Sequence, residues 1–220
     1  MSKKVRNITI PVGLGYGLID LMGGGAFTII GAFLLFFYTT FAGLSPLEGA
    51  SIIAIARLVD AVVSLSIGSI TDNFYKTKLG QKFGRRRFFL LIGSPLMAVY
   101  ALLWVTGQGY WYYLISYLLF EMIAAMVLIP FETLPSEMTK DFNKRTILST
   151  CRMFVSATGT FLATFVPGQL IKHFGQDNSY AYFINGCFFA IVFAVCIFTS
   201  YKVTWERELS SEMEKELLNK

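Results

Sequence analysis

The sequence predicts an all-α membrane protein with six transmembrane helices, and three observations carry that expectation. The first is composition: 55% of the 220 residues are hydrophobic and 15% are charged, with a mean hydropathy of +0.57. A soluble domain of this length carries more charge and fewer apolar residues. The second is pattern. The apolar residues form long unbroken runs, each near the ~20 residues a spanning helix needs, and not the ~10-residue alternating segments of a membrane barrel. The third is the placement of the basic residues, which collect in alternate connections. Backbone groups in lipid must be satisfied within their own segment, so such runs are helices.

The first run covers residues 13–41 and follows a basic stretch, 1–12, that includes Lys3, Lys4 and Arg6. It is too long for the apolar core of a signal peptide and has no small-residue cleavage site, so it reads as a span. A brief "GLSPLEG" connection leads to the second run, 47–72. A longer polar link then precedes the third, 88–106, and the short "TGQGYW" joins it to the fourth, 111–136. A second polar link leads to the fifth, 147–171, and the sixth covers 180–201. Pro130, Pro135 and Pro167 lie within the fourth and fifth runs, where proline kinks a helix. The bundle thus occupies 13–201. Residues 202–220, with the tail "WERELSSEMEKELLNK", read as an amphipathic or solvated helix opening a cytoplasmic loop.

Lys and Arg set the orientation of such a chain. Sixteen of the 19 lie before span 1, between spans 2 and 3, between spans 4 and 5, or after span 6. The other side holds Lys172, and Arg57 and Arg152 lie within spans. Both termini are therefore expected on the cytoplasmic face of a plasma (inner) membrane. The net charge of +5 reflects this topology and no nucleic-acid partner. Cys151, Cys187 and Cys196 all fall in apolar segments, without metal or disulfide spacing, and read as small buried hydrophobes. No HExxH motif and no convincingly placed serine–histidine pair marks an enzyme. His173 reads as an interfacial polar residue, and the aromatics of "GQGYWYY" and "FLLFFYTT" as interfacial belts.

Each ionisable residue at mid-bilayer costs at least ~2.5–3.5 kcal/mol on insertion scales and needs a reason. The candidates are Asp20, Arg57, Asp60, Glu121 and Arg152, with Glu132 nearer a span end. Arg57, Asp60 and Ser64 share one helical face, as do Asp20, Gly23, Gly24 and Phe27, Glu121 and Leu128, and Arg152, Ser156 and Thr160. Four helices with polar or small-residue stripes meet best around one hydrated internal cavity, the usual place for a transported solute. Helix-to-helix neutralisation of the charges is the structural alternative. The glycines at 23–25 suit close packing at least as well as solute contact.

Four stretches resemble the glycoside–pentoside–hexuronide:cation symporter family of the major facilitator superfamily, the group that includes melibiose permease. They are "GYGLID" with "FLLFFYTT", "IARLVDAVVSLSIGSITDN", "GSITDN" with "LGQKFGRRRFFLLIGS", and "IPFETLPSEMTKDFNKRTILSTCRMF". The resemblance implies six helices forming one half of a twelve-helix fold, with a sugar or glycoside held between the halves and driven by H⁺ or Na⁺. The solute and the bilayer are then the partners, together with a second six-helix half or a second copy of this chain, and no cofactor is needed. The resemblance places Asp60, with Ser64 beside it, at the coupling-cation site. It places Asp20, Gly24, Arg57, Glu121, Leu128 and Arg152 around the solute cavity, and Asp72, Arg85 and Arg86 in a cytoplasmic gate. Ser64 stands where melibiose permease has a second acid, which favours H⁺ over Na⁺. Gly24 and Leu128 stand where that permease has sugar-binding carboxylates, which leaves room for a lipid-like solute. A six-helix membrane protein that does not transport is the third reading.

Overall fold

The computed structural model describes residues 7–175 and 178–206. The six expected spans are helical, within a few residues of their anticipated limits. Span 1 is Ile10–Thr40, span 2 Pro46–Lys76, span 3 Arg87–Leu102, span 4 Tyr110–Met138, span 5 Phe142–Phe174 and span 6 Ser179–Val203. Five are long and apolar enough to cross a membrane by themselves, and span 3 is shorter. A six-residue helix, Lys78–Phe83, lies in the basic link between spans 2 and 3. Lys3, Lys4 and Arg6 lie outside the described residues, as does the tail expected as a helix from Trp205 onward, apart from Trp205 and Glu206, which are not helical.

Local chemistry explains where the helices begin. In span 2, Ser45 and Glu48 form a reciprocal capping box, with Pro46 in the first turn where its missing N–H costs nothing. Asp141 and Asn178 cap spans 5 and 6 through their side-chain oxygens. Span 1 is not regular: helix Ile10–Gly17 ends at Leu18, helix Ile19–Ile29 resumes, and a π-turn occupies Ile30–Leu34.

The prolines of spans 4 and 5 do not end their helices. Spans 4 and 5 run unbroken through Pro130, Pro135 and Pro167. The interruption falls in span 3, where the helix containing Pro95 stops at Leu96 and a shorter one starts at Val99. Span 4 tolerates Pro135 for a visible reason. A proline frees the carbonyl four residues back, here Phe131, and the Tyr16 hydroxyl of span 1 donates to that oxygen at 3.2 Å. In lipid such a group must find a partner.

Span 1 packs chiefly on span 5, span 2 on span 4, and span 3 on spans 4 and 6. The core is rich in large aromatics, with Trp104, Tyr16, Tyr38, Tyr100, Tyr113 and Phe131 fully enclosed. Hydroxyls tie helices at their backbones: Ser94 donates to the Ala194 carbonyl at 2.8 Å and Ser200 to that of Tyr16 at 3.0 Å. Spans 2 and 5 keep broad bare faces, with Leu58, Val62 and Leu65 on one and Met153, Phe154 and Phe161 on the other. All three cysteines are free thiols, two of them buried. His173 is exposed at the end of span 5.

Candidate functional site

The interior charges assemble into two ion-paired groups. In the first, Arg152 of span 5 pairs with Asp20 of span 1, and its Nη2 lies 3.1 Å from Glu132 Oε1 on span 4. The guanidinium also sits over the Phe131 ring at 4.8 Å, close enough for a cation–π contact. Asp20 is 7% exposed, so its charge depends on that partner. In the second group, Arg57 of span 2 reaches Glu121 of span 4 at 3.3 Å. Glu121 is 3% exposed. Arg57 also lies 5.2 Å from the centroid of Phe27, on span 1.

Arg57 and Asp60 share a helical face, as their spacing requires, yet the ion pair runs across helices to Glu121. Asp60 is half-buried and accepts a hydrogen bond from Ser64 at 3.2 Å. Among the described residues it has no basic partner within ion-pair distance. Asp20 and Glu121, both buried, and the exposed Glu132 face the two arginines, and Asp60 stands apart.

The glycines divide by role. A Cβ on Gly24 would lie 2.7 Å from the Ser156 carbonyl oxygen and 3.0 Å from Thr160 Oγ1. On Gly17 it would meet the Arg152 Cα at 3.0 Å, and on Gly159 the Leu21 Cα at 2.9 Å. These contacts make a small-residue seam between spans 1 and 5, which lets the two backbones approach. Gly24 and its facing Ser156 and Thr160 thus belong to the seam, and the Thr160 hydroxyl donates to its own helix at the Ser156 carbonyl. Gly23 is the glycine on the Asp20 side, its Cβ position 3.2 Å from Asp20 Oδ1 and 3.6 Å from Leu128.

A third cluster lies at the basic end of the bundle. Arg86 is buried and pairs with Asp72 at 2.9 Å and with Glu137 at 2.9 Å. Its Nη1 also donates to the Thr133 carbonyl at 3.3 Å. Arg85 pairs with the same Glu137. Asp72, Arg85 and Arg86, which the resemblance placed in one cluster, do come together. Glu137 and Glu206 complete the cluster and escaped the sequence reading. Glu137 lies inside the quoted "FETLPSEM" stretch but carries no local sign of its partner. Glu206 sits in the charged tail, where a solvated side chain was expected.

An all-helical membrane bundle with paired charges in its interior and a charged clasp at one end is the architecture of one half of a solute transporter. The chain belongs to the MFS/sugar transport protein family, whose model matches residues 15–219. A putative glycoside/cation symporter of Escherichia coli is 28% identical over 97% of this chain and 48% of its own length. The isoprimeverose transporter of Lactiplantibacillus pentosus is 24% identical over 92% of this chain and 43% of its own. A sodium-dependent lysophosphatidylcholine symporter of Danio rerio is 28% identical over 68% of this chain and 29% of its own. The chain spans less than half the length of these relatives.

Proposed function

We propose that this chain is the first half of a secondary active transporter that carries a glycoside or related sugar with H⁺ or Na⁺ by alternating access. The observation that carries the reading is Asp60, a half-buried interior carboxylate left without a base while Arg57 and Arg152 are taken by Glu121, Asp20 and Glu132. Asp60, with the Ser64 hydroxyl, takes the coupling ion. A single carboxylate there favours H⁺. The two arginine groups, with the half-buried Phe27 ring beside Arg57, form one wall of the solute site. A guanidinium offers a rigid fork of donors to sugar hydroxyls, the carboxylates accept from them, and the Phe27 ring gives an apolar face. Coupling follows when ion and solute favour the same conformation. The basic end, with the Asp72–Arg86 pair, faces the cytoplasm and holds that side shut.

The test is uptake by the full-length protein in vesicles under imposed H⁺ and Na⁺ gradients. Asp60→Asn should abolish gradient-driven accumulation while leaving solute exchange measurable. Full gradient dependence in that variant would remove Asp60 from the role. A lipid-like solute is the second reading, favoured by the similarity to a symporter named for lysophosphatidylcholine and by the apolar Leu128 at one of the two positions noted above. Competition of uptake by glycosides against lysolipids separates the two.

A further inference from the structure

The contact least anticipated by the sequence is that of Glu206. Span 6 ends at Val203, and Thr204–Glu206 leave the helix without leaving the protein. Thr204 is fully buried, and its hydroxyl donates back to the Ser200 carbonyl at 2.7 Å. The Glu206 carboxylate then accepts three backbone N–H groups from one turn. Its Oε2 takes Arg85 at 2.9 Å, and its Oε1 takes Arg86 at 2.8 Å and Arg87 at 2.7 Å. These amides open the helix of span 3, where donors have no partner within the helix and the helix dipole favours an anion. Gly84 makes room. Its φ is +96°, and a Cβ there would lie 2.9 Å from Glu206 Oε1.

The same three residues use their side chains elsewhere. Arg85 and Arg86 hold Glu137 on span 4, and Arg86 also holds Asp72 on span 2. Arg87 donates to the Tyr201 carbonyl at 2.9 Å and lies over the Tyr201 ring at 4.6 Å. The backbone of one turn is thus fixed by span 6 while its guanidinium groups fix spans 2 and 4. Asp72 remains 63% exposed at its side chain, so the Arg86–Asp72 link is the one open to rearrangement.

We propose that Glu206 is the positioning residue of this clasp. It sets the aim of Arg85 and Arg86, and without it the clasp loosens and the basic side of the transporter opens more readily. The inference rests on the alternating-access reading above. It also gives the chain just after span 6 a direct hold on the clasp, because Glu206 follows the end of that span, Val203, by three residues.

The test measures sidedness without any solute. The full-length protein, made free of native cysteines, receives one cysteine at Leu128, which borders Asp20 in the interior. A membrane-impermeant maleimide is applied to inside-out and right-side-out vesicles. Glu206→Gln should raise the labelling rate at least threefold in inside-out vesicles and lower it in right-side-out ones. Gly84→Ala, which keeps the carboxylate but crowds it off the turn, should shift the ratio the same way, and it decides the matter if Glu206→Gln fails to accumulate. An unchanged ratio, or equal changes on both sides, overturns the role of Glu206 and leaves the transport reading standing. A parent protein labelled from neither side removes the alternating-access reading and this inference together.

Discussion

Arg152→Ala removes the guanidinium that faces Asp20, and its cost follows from burial. Asp20 is 7% exposed and the Arg152 side chain 28% exposed. Removing one partner of a buried pair costs roughly 3–5 kcal/mol, because a bare charge is left behind. The partial exposure of Arg152 puts this case near the lower end. Proton uptake at pH 7 costs an ordinary carboxyl about 4 kcal/mol, which bounds the loss from above. We therefore expect about 3 kcal/mol. One kcal/mol moves the midpoint of a 150–250-residue domain by about 2–4 °C, so the drop is roughly 6–12 °C. The assay is thermal denaturation of the full-length protein in detergent, followed by fluorescence-detected size exclusion. Asp20→Asn should cost only about 1 kcal/mol, since Arg152 keeps Glu132 at 3.1 Å. The double variant should be more stable than Arg152→Ala alone, because no bare carboxylate remains. A midpoint for Arg152→Ala within 2 °C or so of the parent, or a double variant as unstable as the two losses summed, would refute the reasoning.

Two further expectations test the seam and the ion site. Gly24→Ala should cost about 1–3 kcal/mol by overpacking against Ser156, whereas Gly31→Ala, with nothing within 4 Å of the added carbon, should gain about 0.5–1 kcal/mol; equal melting points would show that no seam exists. Ser64→Asp places a second carboxylate one helical turn from Asp60, and Na⁺ should then stimulate uptake at a concentration about tenfold lower, equivalent to 1.4 kcal/mol of binding; an unchanged Na⁺ response in transport assays would count against the site.

The spans were legible because length and apolarity are local properties of a run. Partner choice was not. Arg57 and Asp60 are three residues apart, and nothing in the run says that Arg57 reaches across to Glu121. That depends on how spans 2 and 4 lie together. The "GGG" run posed the same difficulty. Adjacent glycines point about 100° apart around a helix, so Gly24 meets span 5 while Gly23 borders Asp20 and Leu128. Ser156 and Thr160 follow Gly24 for the same reason. The donor that satisfies the carbonyl freed by Pro135 was equally out of reach, because Tyr16 lies 115 residues from Phe131. Glu206 was read as solvated because a charged residue in a charged tail gives no sign of a helix N-terminus 120 residues upstream.

That last distance has a consequence for how the chain is made. Ribosomes deliver the helices in order, and span 3 is the shortest of the six. Its opening amides wait for Glu206, and the Tyr16 carbonyl at the end of the first helical segment waits for Ser200. Both ties come from the end of span 6 and the residues just after it. Until then span 1 has its ties to spans 4 and 5 and span 3 its ion pairs to spans 2 and 4, and neither is joined to span 6. The closing of the bundle therefore waits for span 6, timed by residues 200–206. A stall or cleavage just short of them should leave a set of inserted helices that insertion machinery and membrane proteases still recognise as unfinished.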